Sequence, residues 1–166
     1  MKNTTSLLSV ITLIIFSLNG FGQETIWFNS NWQPTTESQG KYYRPYPKKI
    51  DQGYWIVNYY MNGQVQMEGY SSILTPGKEE FEGLVLYYHE NGTPFHKANY
   101  KNGQLHGIRK VYYETGELKE QGRYVEGKRS GIWKTFYKNG KIKEKGKYKD
   151  NEKSGIWKTF HKNTKQ

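Results

Sequence analysis

The sequence predicts an all-β protein, an elongated array of antiparallel β-hairpin repeats with a 24-residue period. Its composition argues against a helical bundle, because past residue 22 the chain has 25 Phe, Trp and Tyr but only 18 Val, Ile and Leu, with Ala98 as its one alanine. Helical bundles need many Leu and Ala residues on one stripe of each helix. Chains rich in aromatic residues and glycine favour short strands joined by tight turns.

The period is visible in several residue types that keep one register. Glycines recur every 24 residues, and an aromatic residue follows each of them five positions later, at Tyr88, Tyr112, Phe136 and Phe160. Repeats of this kind indicate a stacked array of small units. The predicted units, of which the first is divergent, span about 53–76, 83–106, 107–130, 131–154 and 155–166.

Each unit is predicted to form one hairpin. Asn62-Gly63, Asn91-Gly92 and Asn139-Gly140 are dipeptides that favour two-residue type I′ turns. Such a turn places Tyr137 opposite Ile142, and Trp133 opposite Gly146, where the indole covers the backbone that glycine leaves bare. The predicted first face carries Trp133, Thr135, Tyr137, Ile142 and Tyr148. The second face carries Ile132, Lys134, Phe136, Lys138 and the lysines from Lys141 to Lys149.

The first 52 residues differ from the repeats. Residues 1–22 hold one lysine, an apolar run of about twelve residues and Gly20-Phe21-Gly22, which is the pattern of a cleaved secretory signal peptide. The run is shorter than the ~20 residues that a membrane-spanning helix needs. Residues 23–52 are predicted to be an irregular lead-in rich in aromatic residues and proline, with one degenerate strand at Tyr42-Tyr43-Arg44.

The repeats resemble the variant MORN repeat of bacterial proteins. The resemblance is carried by Gly107–Tyr124 and Gly131–Tyr148, and more loosely by Gly83–Tyr100. Bacterial chains of this kind are often labelled YwqK-type antitoxins, and similar repeats precede periplasmic domains of TonB-type energy transducers. The resemblance implies an all-β array used for binding, and it implies no chemistry.

Positive charge is concentrated in the later repeats. Residues 1–96 carry a net charge of −2, whereas residues 97–166 carry +12. Alternation along one strand predicts five lysines on one side, which either solvate and protect the sheet or bind an anionic partner. The candidate binding surface is Lys134, Lys138, Lys141, Lys143, Lys145, Lys147, Lys149, Trp133, Tyr137 and Trp157.

Catalysis, metal binding and cofactors are not predicted. The absence of cysteine excludes disulfides and thiol nucleophiles, and the four histidines lack zinc-type spacing. His89 and His161 occupy the repeat position that Tyr113 and Tyr137 fill elsewhere, which makes them substitutes in an aromatic slot. Glu120 and Glu144 occupy equivalent repeat positions, and the period explains both carboxylates without a catalytic role. No phosphate-binding loop is present.

The sequence therefore predicts a non-catalytic exported protein, periplasmic or extracellular, that serves as a protein–protein interaction scaffold at the cell envelope. The alternatives are a tether to an anionic membrane surface through the basic C-terminal repeats, and an antitoxin-like neutraliser of a partner protein. The expected partner is a protein, with anionic lipid, an acidic envelope polymer or a second copy of the chain also open. The export signal and the lack of a recognisable motif argue against nucleic acid.

Overall fold

The computed structural model describes residues 24–162, so the predicted signal peptide lies outside the described residues. The all-β prediction is confirmed, since the described chain forms one open antiparallel sheet of 13 strands. The strands are β1 (Ile26–Phe28), β2 (Pro34–Thr35), β3 (Tyr42–Arg44), β4 (Lys48–Ile50), β5 (Gly53–Tyr60), β6 (Val65–Ser71), β7 (Phe81–Tyr88), β8 (Pro94–Lys101), β9 (Gln104–Tyr112), β10 (Leu118–Val125), β11 (Lys128–Phe136), β12 (Ile142–Lys149) and β13 (Glu152–Thr159).

Chain order and sheet order coincide from β5 to β13, as expected for hairpins added one after another. The lead-in joins the same sheet, because β3 pairs with β5, β1 pairs with β3, and β2 follows β1. The predicted strand at Tyr42–Arg44 is confirmed. A short 3-10 turn at Glu37–Gln39 is the only helical element in residues 24–162.

The Asn-Gly turns are not the predicted two-residue type I′ turns. In the β11–β12 hairpin the Tyr137 amide donates to the Lys141 carbonyl (2.8 Å), which encloses a three-residue loop. Gly140 has φ +79°, whereas Asn139 is not in the positive-φ region. A type I turn followed by a left-handed glycine is the usual three-residue hairpin loop, and it adds a bulge that shifts the strands by one residue. Phe136, not Tyr137, therefore faces Ile142.

Type I′ geometry occurs instead at the turns that connect one hairpin to the next. The φ pairs are +51° and +72° at Asn102-Gly103, +48° and +73° at Glu126-Gly127, and +52° and +72° at Asp150-Asn151. The Gly127 amide also donates to the Leu105 carbonyl of the preceding unit (2.9 Å). These turns therefore extend the hydrogen bonding of the sheet to its margin.

Two faces of the sheet differ sharply in burial. The core face carries the buried residues, with a central cluster of Ile56, Met67 and Val85 against which Tyr87 and Tyr100 pack. The opposite face, called the outer face here, carries a mixture of exposed and half-buried residues from β5 to β13. Because cross-strand neighbours point to the same side, whole rows of residues across the sheet belong to one face.

A buried arginine fixes the N-terminal end of the core face. Arg44 Nε donates to Asn58 Oδ1 (2.7 Å), its Nη1 pairs with Glu79 Oε1 (2.7 Å), and its guanidinium lies 5.1 Å from the centre of the Phe28 ring. Glu79 belongs to the long connection between β6 and β7. The ion pair therefore holds that connection against the lead-in strands.

Candidate binding surfaces

On the predicted first face, Trp133 and Tyr148 belong to an internal aromatic ladder rather than to a free surface. Tyr124, Trp133, Tyr148 and Trp157 follow one another on the core face, with ring centroids 5.3, 5.6 and 5.0 Å apart and near-perpendicular planes. Trp133 is 2% exposed. Edge-to-face contacts of this kind stabilise a core, so Trp133 is not available to a partner.

The indoles cover glycines of the preceding unit. Trp133 pairs with Gly146 along the backbone, as predicted, but its ring lies over Gly122, where an added Cβ would be 2.1 Å from Trp133 Cδ2. Gly146 is covered by Trp157 in the same way, also at 2.1 Å. The predicted cover of Gly146 by Trp133 is therefore wrong, because each side chain leans towards the strand before it in the sheet.

Two cationic side chains, Arg129 and Lys153, lie over the rings of the aromatic ladder. The Arg129 guanidinium lies 4.4 Å from the centre of the Trp133 ring and 5.2 Å from that of Tyr148. Lys153 Nζ lies 4.0 Å from the centre of the Trp157 ring and 2.9 Å from Glu144 Oε1. Trp157 itself stays half-buried. These contacts satisfy the π faces of the indoles within the chain.

Tyr137 ties two repeats together. Its hydroxyl donates to the Phe160 carbonyl (2.8 Å), as the Tyr113 hydroxyl does to the Phe136 carbonyl (2.7 Å). Two other predicted site residues lie in the turn beside it: Lys138 is exposed, and Lys141 is half-buried and precedes the first residue of β12. Tyr137 is therefore a structural residue, and Lys141 does not belong to the alternating stretch of the strand.

The remaining predicted lysines do lie on the outer face. Lys143, Lys145, Lys147 and Lys149 alternate along β12 and are exposed, whereas the residues between them are not. On β11, Lys134 stands opposite Lys145. The predicted division of β11 and β12 into a core side and a lysine side is thus confirmed for these residues.

The structure adds a feature that runs across the strands rather than along one of them. The register places Lys97 opposite Lys110, Lys134 opposite Lys145, and Lys145 opposite Lys158, with Gln121 between Lys110 and Lys134. We call the set Lys97, Lys110, Lys134, Lys145 and Lys158 the lysine row. It crosses six strands, β8 to β13, over roughly 24 Å at ~4.8 Å between strands.

Apolar side chains border the lysine row. Ile108, Ile132 and Ile156 stand two residues before row lysines on their own strands, and their exposed fractions are 44%, 58% and 83%. Tyr112 and Phe136 stand two residues after row lysines and are half-buried. The basic surface therefore has an aliphatic border and an aromatic border.

The outer face changes character between β7 and β8. The cross-strand row that contains the lysines continues over β7, β6 and β5 as Leu86, Glu68 and Val57. Next to it Tyr43 stacks on Tyr59, with centroids 5.1 Å apart, and Trp27 contacts Tyr43 in a tilted arrangement at 5.3 Å. We call Trp27, Tyr43, Trp55, Val57, Tyr59, Leu84 and Leu86 the aromatic surface; Trp55 is 36% exposed and Leu84 46%.

No cofactor site emerges from the described residues. Within residues 24–162, no group of three His, Asp or Glu side chains could hold a metal ion. A shallow pocket of about 170 Å³ lies beside Arg44, but the arginine is already paired there with Glu79. His96 is stacked on Tyr87 at 4.1 Å, and burial, aided by the charge of Arg109, lowers its pKa to about 4.

The lysine row was missed by sequence reasoning, although part of its signal is in the sequence. Lys110, Lys134 and Lys158 occupy one repeat position, 24 residues apart. Their alignment with Lys97 and Lys145 depends on the register between units, which shifts at a bulge between residues 121 and 123 and again between 145 and 147. Alternation within one strand cannot reveal such a row.

Comparison with known proteins identifies the repeats. The family model described as the MORN repeat variant matches residues 81–102, 105–126 and 129–150, three consecutive units. These segments coincide with the hairpins β7–β8, β9–β10 and β11–β12. The match supports the repeat class and not the antitoxin label. No curated protein matches the chain. The described chain holds no helix with the length and apolarity to cross a membrane.

Proposed function

Because three consecutive repeats match the MORN repeat variant, we propose that the chain is an exported, non-catalytic scaffold that binds a protein partner at the cell envelope. MORN repeats generally mediate binding to proteins or membranes and are typically non-enzymatic. The proposal of export depends on the signal-peptide pattern of residues 1–22.

The aromatic surface is the observation that supports a protein partner. It is a set of half-buried and exposed aromatic and aliphatic side chains on one sheet face, interrupted on β6 by Glu68, which lies between Val57 and Leu86. Large exposed apolar patches mark interaction sites in soluble proteins, and aromatic residues are enriched in the buried centres of interfaces. On the core face, by contrast, Trp133 is only 2% exposed and is not accessible to a partner.

Capture from the native cell envelope tests this proposal. Tagged residues 23–166 would be used as wild type, as the double variant Trp55→Ser/Leu84→Ser, and as Ile156→Ser. The last variant is a matched control, because Ile156 is also an exposed apolar residue but lies at the other end of the sheet. We expect one protein to be retained by wild type and control and lost by the double variant.

The captured protein would then be purified and titrated directly against the three chains, so that recognition does not depend on the extract. Equal binding by all three chains would overturn docking on the aromatic surface. Export is tested separately by cell fractionation of the full chain and of a chain without residues 1–22. Retention of the full chain in the cytoplasm would overturn the envelope location.

A further inference from the structure

The lysine row is an arrangement that sheets normally avoid. Like charges placed directly opposite each other on neighbouring strands are destabilising, yet Lys97 faces Lys110 and Lys145 faces both Lys134 and Lys158. The ion pairs found in the described residues involve Arg44, Arg109 and Lys153, and none includes a lysine of the row.

Nearby carboxylates do not neutralise the row. Glu120 and Glu144 face Thr135 across the strands, in the cross-strand row that contains the buried Val111, so both point to the core face. There they pair with Arg109 and Lys153. The positive charge of the row is therefore directed outward.

We propose that the lysine row binds an extended anionic polysaccharide laid across strands β8 to β13. Each strand from β8 to β13 except β10 contributes one ammonium group, so neighbouring groups are spaced by ~4.8 Å, or by about 10 Å across β10. Acidic groups of a linear chain can therefore meet successive lysines. Gln121 fills the position on β10 and can hydrogen-bond to a sugar hydroxyl or carboxylate. This site adjoins the aromatic surface, because Lys97 stands opposite Leu86, but its ligand is not a protein and it goes beyond the proposed docking.

The shape of the sheet favours a flexible chain over a planar membrane. Neighbouring strands are rotated by about 20° on average, so the direction in which a face points turns by about 100° across six strands. A flat bilayer would meet only a few of the row lysines at once, whereas a linear polymer can follow the turn.

The borders of the row favour a sugar polymer over an inorganic polyanion. Ile132 and Phe136 stand on either side of Lys134, and Ile108 and Tyr112 flank Lys110 in the same way. Sugar rings present apolar C–H faces to such side chains, whereas a polyphosphate offers only charge. The choice of an envelope polymer rests on the proposed export, but binding of the polymer in solution does not.

The test uses fluorescent oligogalacturonates of increasing length, with fully methyl-esterified oligomers of the same lengths as neutral controls. Anisotropy titrations would compare wild-type residues 23–166 with Lys134→Gln/Lys145→Gln. The matched control is Lys128→Gln/Lys149→Gln, which removes the same charge from β11 and β12 outside the row. Circular dichroism would verify that all three chains are folded.

We expect affinity for the acidic oligomers to rise with length until the chain spans about 24 Å. The row variant should lose about tenfold or more in affinity, and the control should lose far less. Equal losses in both variants would overturn the row as a site, since they would indicate general charge attraction. Tighter binding to anionic vesicles, to polyphosphate or to single-stranded nucleic acid at equal charge concentration would overturn the polysaccharide as the ligand. A lack of binding to the acidic oligomers would overturn it as well. None of these results depends on whether a protein docks on the aromatic surface.

Discussion

Replacing Gly122 with alanine should displace Trp133 and destabilise the sheet. The added Cβ would lie 2.1 Å from Trp133 Cδ2 and 2.2 Å from Cε2, whereas carbon atoms in contact prefer about 3.5 Å or more. The indole must therefore move by more than about 1 Å. The backbone itself can accept alanine, because Gly122 does not have a positive φ.

The size of the effect follows from the contacts that the indole makes. Overpacking of a core costs about 1–3 kcal/mol, and each edge-to-face contact, here with Tyr124 and Tyr148, contributes about 0.5–1.5 kcal/mol. Since the displacement weakens these contacts rather than removing them, we expect a loss of about 2–4 kcal/mol in the free energy of unfolding. At about 2–4 °C per kcal/mol, the melting temperature should fall by roughly 5–15 °C.

Urea denaturation followed by tryptophan fluorescence and near-UV circular dichroism would measure the loss. The control comes from the chain itself, because Ala98 stands opposite Arg109 at the equivalent repeat positions. In a Trp133→Arg background, Gly122→Ala should therefore cost almost nothing. A double-mutant cycle with no coupling between the two sites, or an unchanged midpoint for Gly122→Ala alone, would refute the steric reasoning.

Three further predictions follow from contacts of single side chains. Tyr137→Phe removes the hydroxyl that donates to the next repeat and should cost about 1 kcal/mol in urea denaturation; no change would show that water replaces the bond. Lys145→Glu converts two like-charge pairs into opposite-charge pairs and should stabilise the sheet by about 0.5–2 kcal/mol at low salt and less at high salt; a lower midpoint would contradict this. Burial and Arg109 lower the pKa of His96 from 6.5 to about 4, so stability should fall as the pH drops through that window, because the unfolded chain binds the proton first; His96→Phe should reduce the slope of melting temperature against pH, and an identical slope would contradict the assignment.

The sequence was sufficient for the repeat, the hairpins and the two-sided division of β11 and β12. These features depend on local signals, namely glycine period, turn residues and alternation. The turn types were assigned to the wrong connections, because Asn139-Gly140 fits both a two-residue loop and a three-residue loop with a bulge. The extra residue is accommodated by a register shift that no dipeptide preference reveals.

Predicting the lysine row from the sequence would have required knowledge of the strand register between units. Sequence reasoning grouped the lysines of one strand, whereas the structure aligns lysines of five strands. It also included Trp133 in the candidate binding surface, although the indole is buried over Gly122. Packing between repeats decides which neighbouring strand a side chain covers. The repeat period in the sequence does not reveal this packing.

The turns at both ends of the hairpins have a consequence for how such a chain can change in length. At one margin the Gly127 amide bonds to the preceding unit, and near the other the Tyr113 hydroxyl bonds to the following one. A residue inserted into either turn would break a bond to a neighbouring unit as well as its own hairpin. Gain or loss of length is thus tolerated mainly in whole repeats.

Each whole repeat adds two strands, about 10 Å of sheet and two positions in the lysine row. The number of repeats therefore sets how many charges of a linear ligand can be bound at once. Duplicating or deleting one repeat should change the length of the shortest oligomer that binds with full affinity by about 10 Å, while the spacing between contacts stays the same.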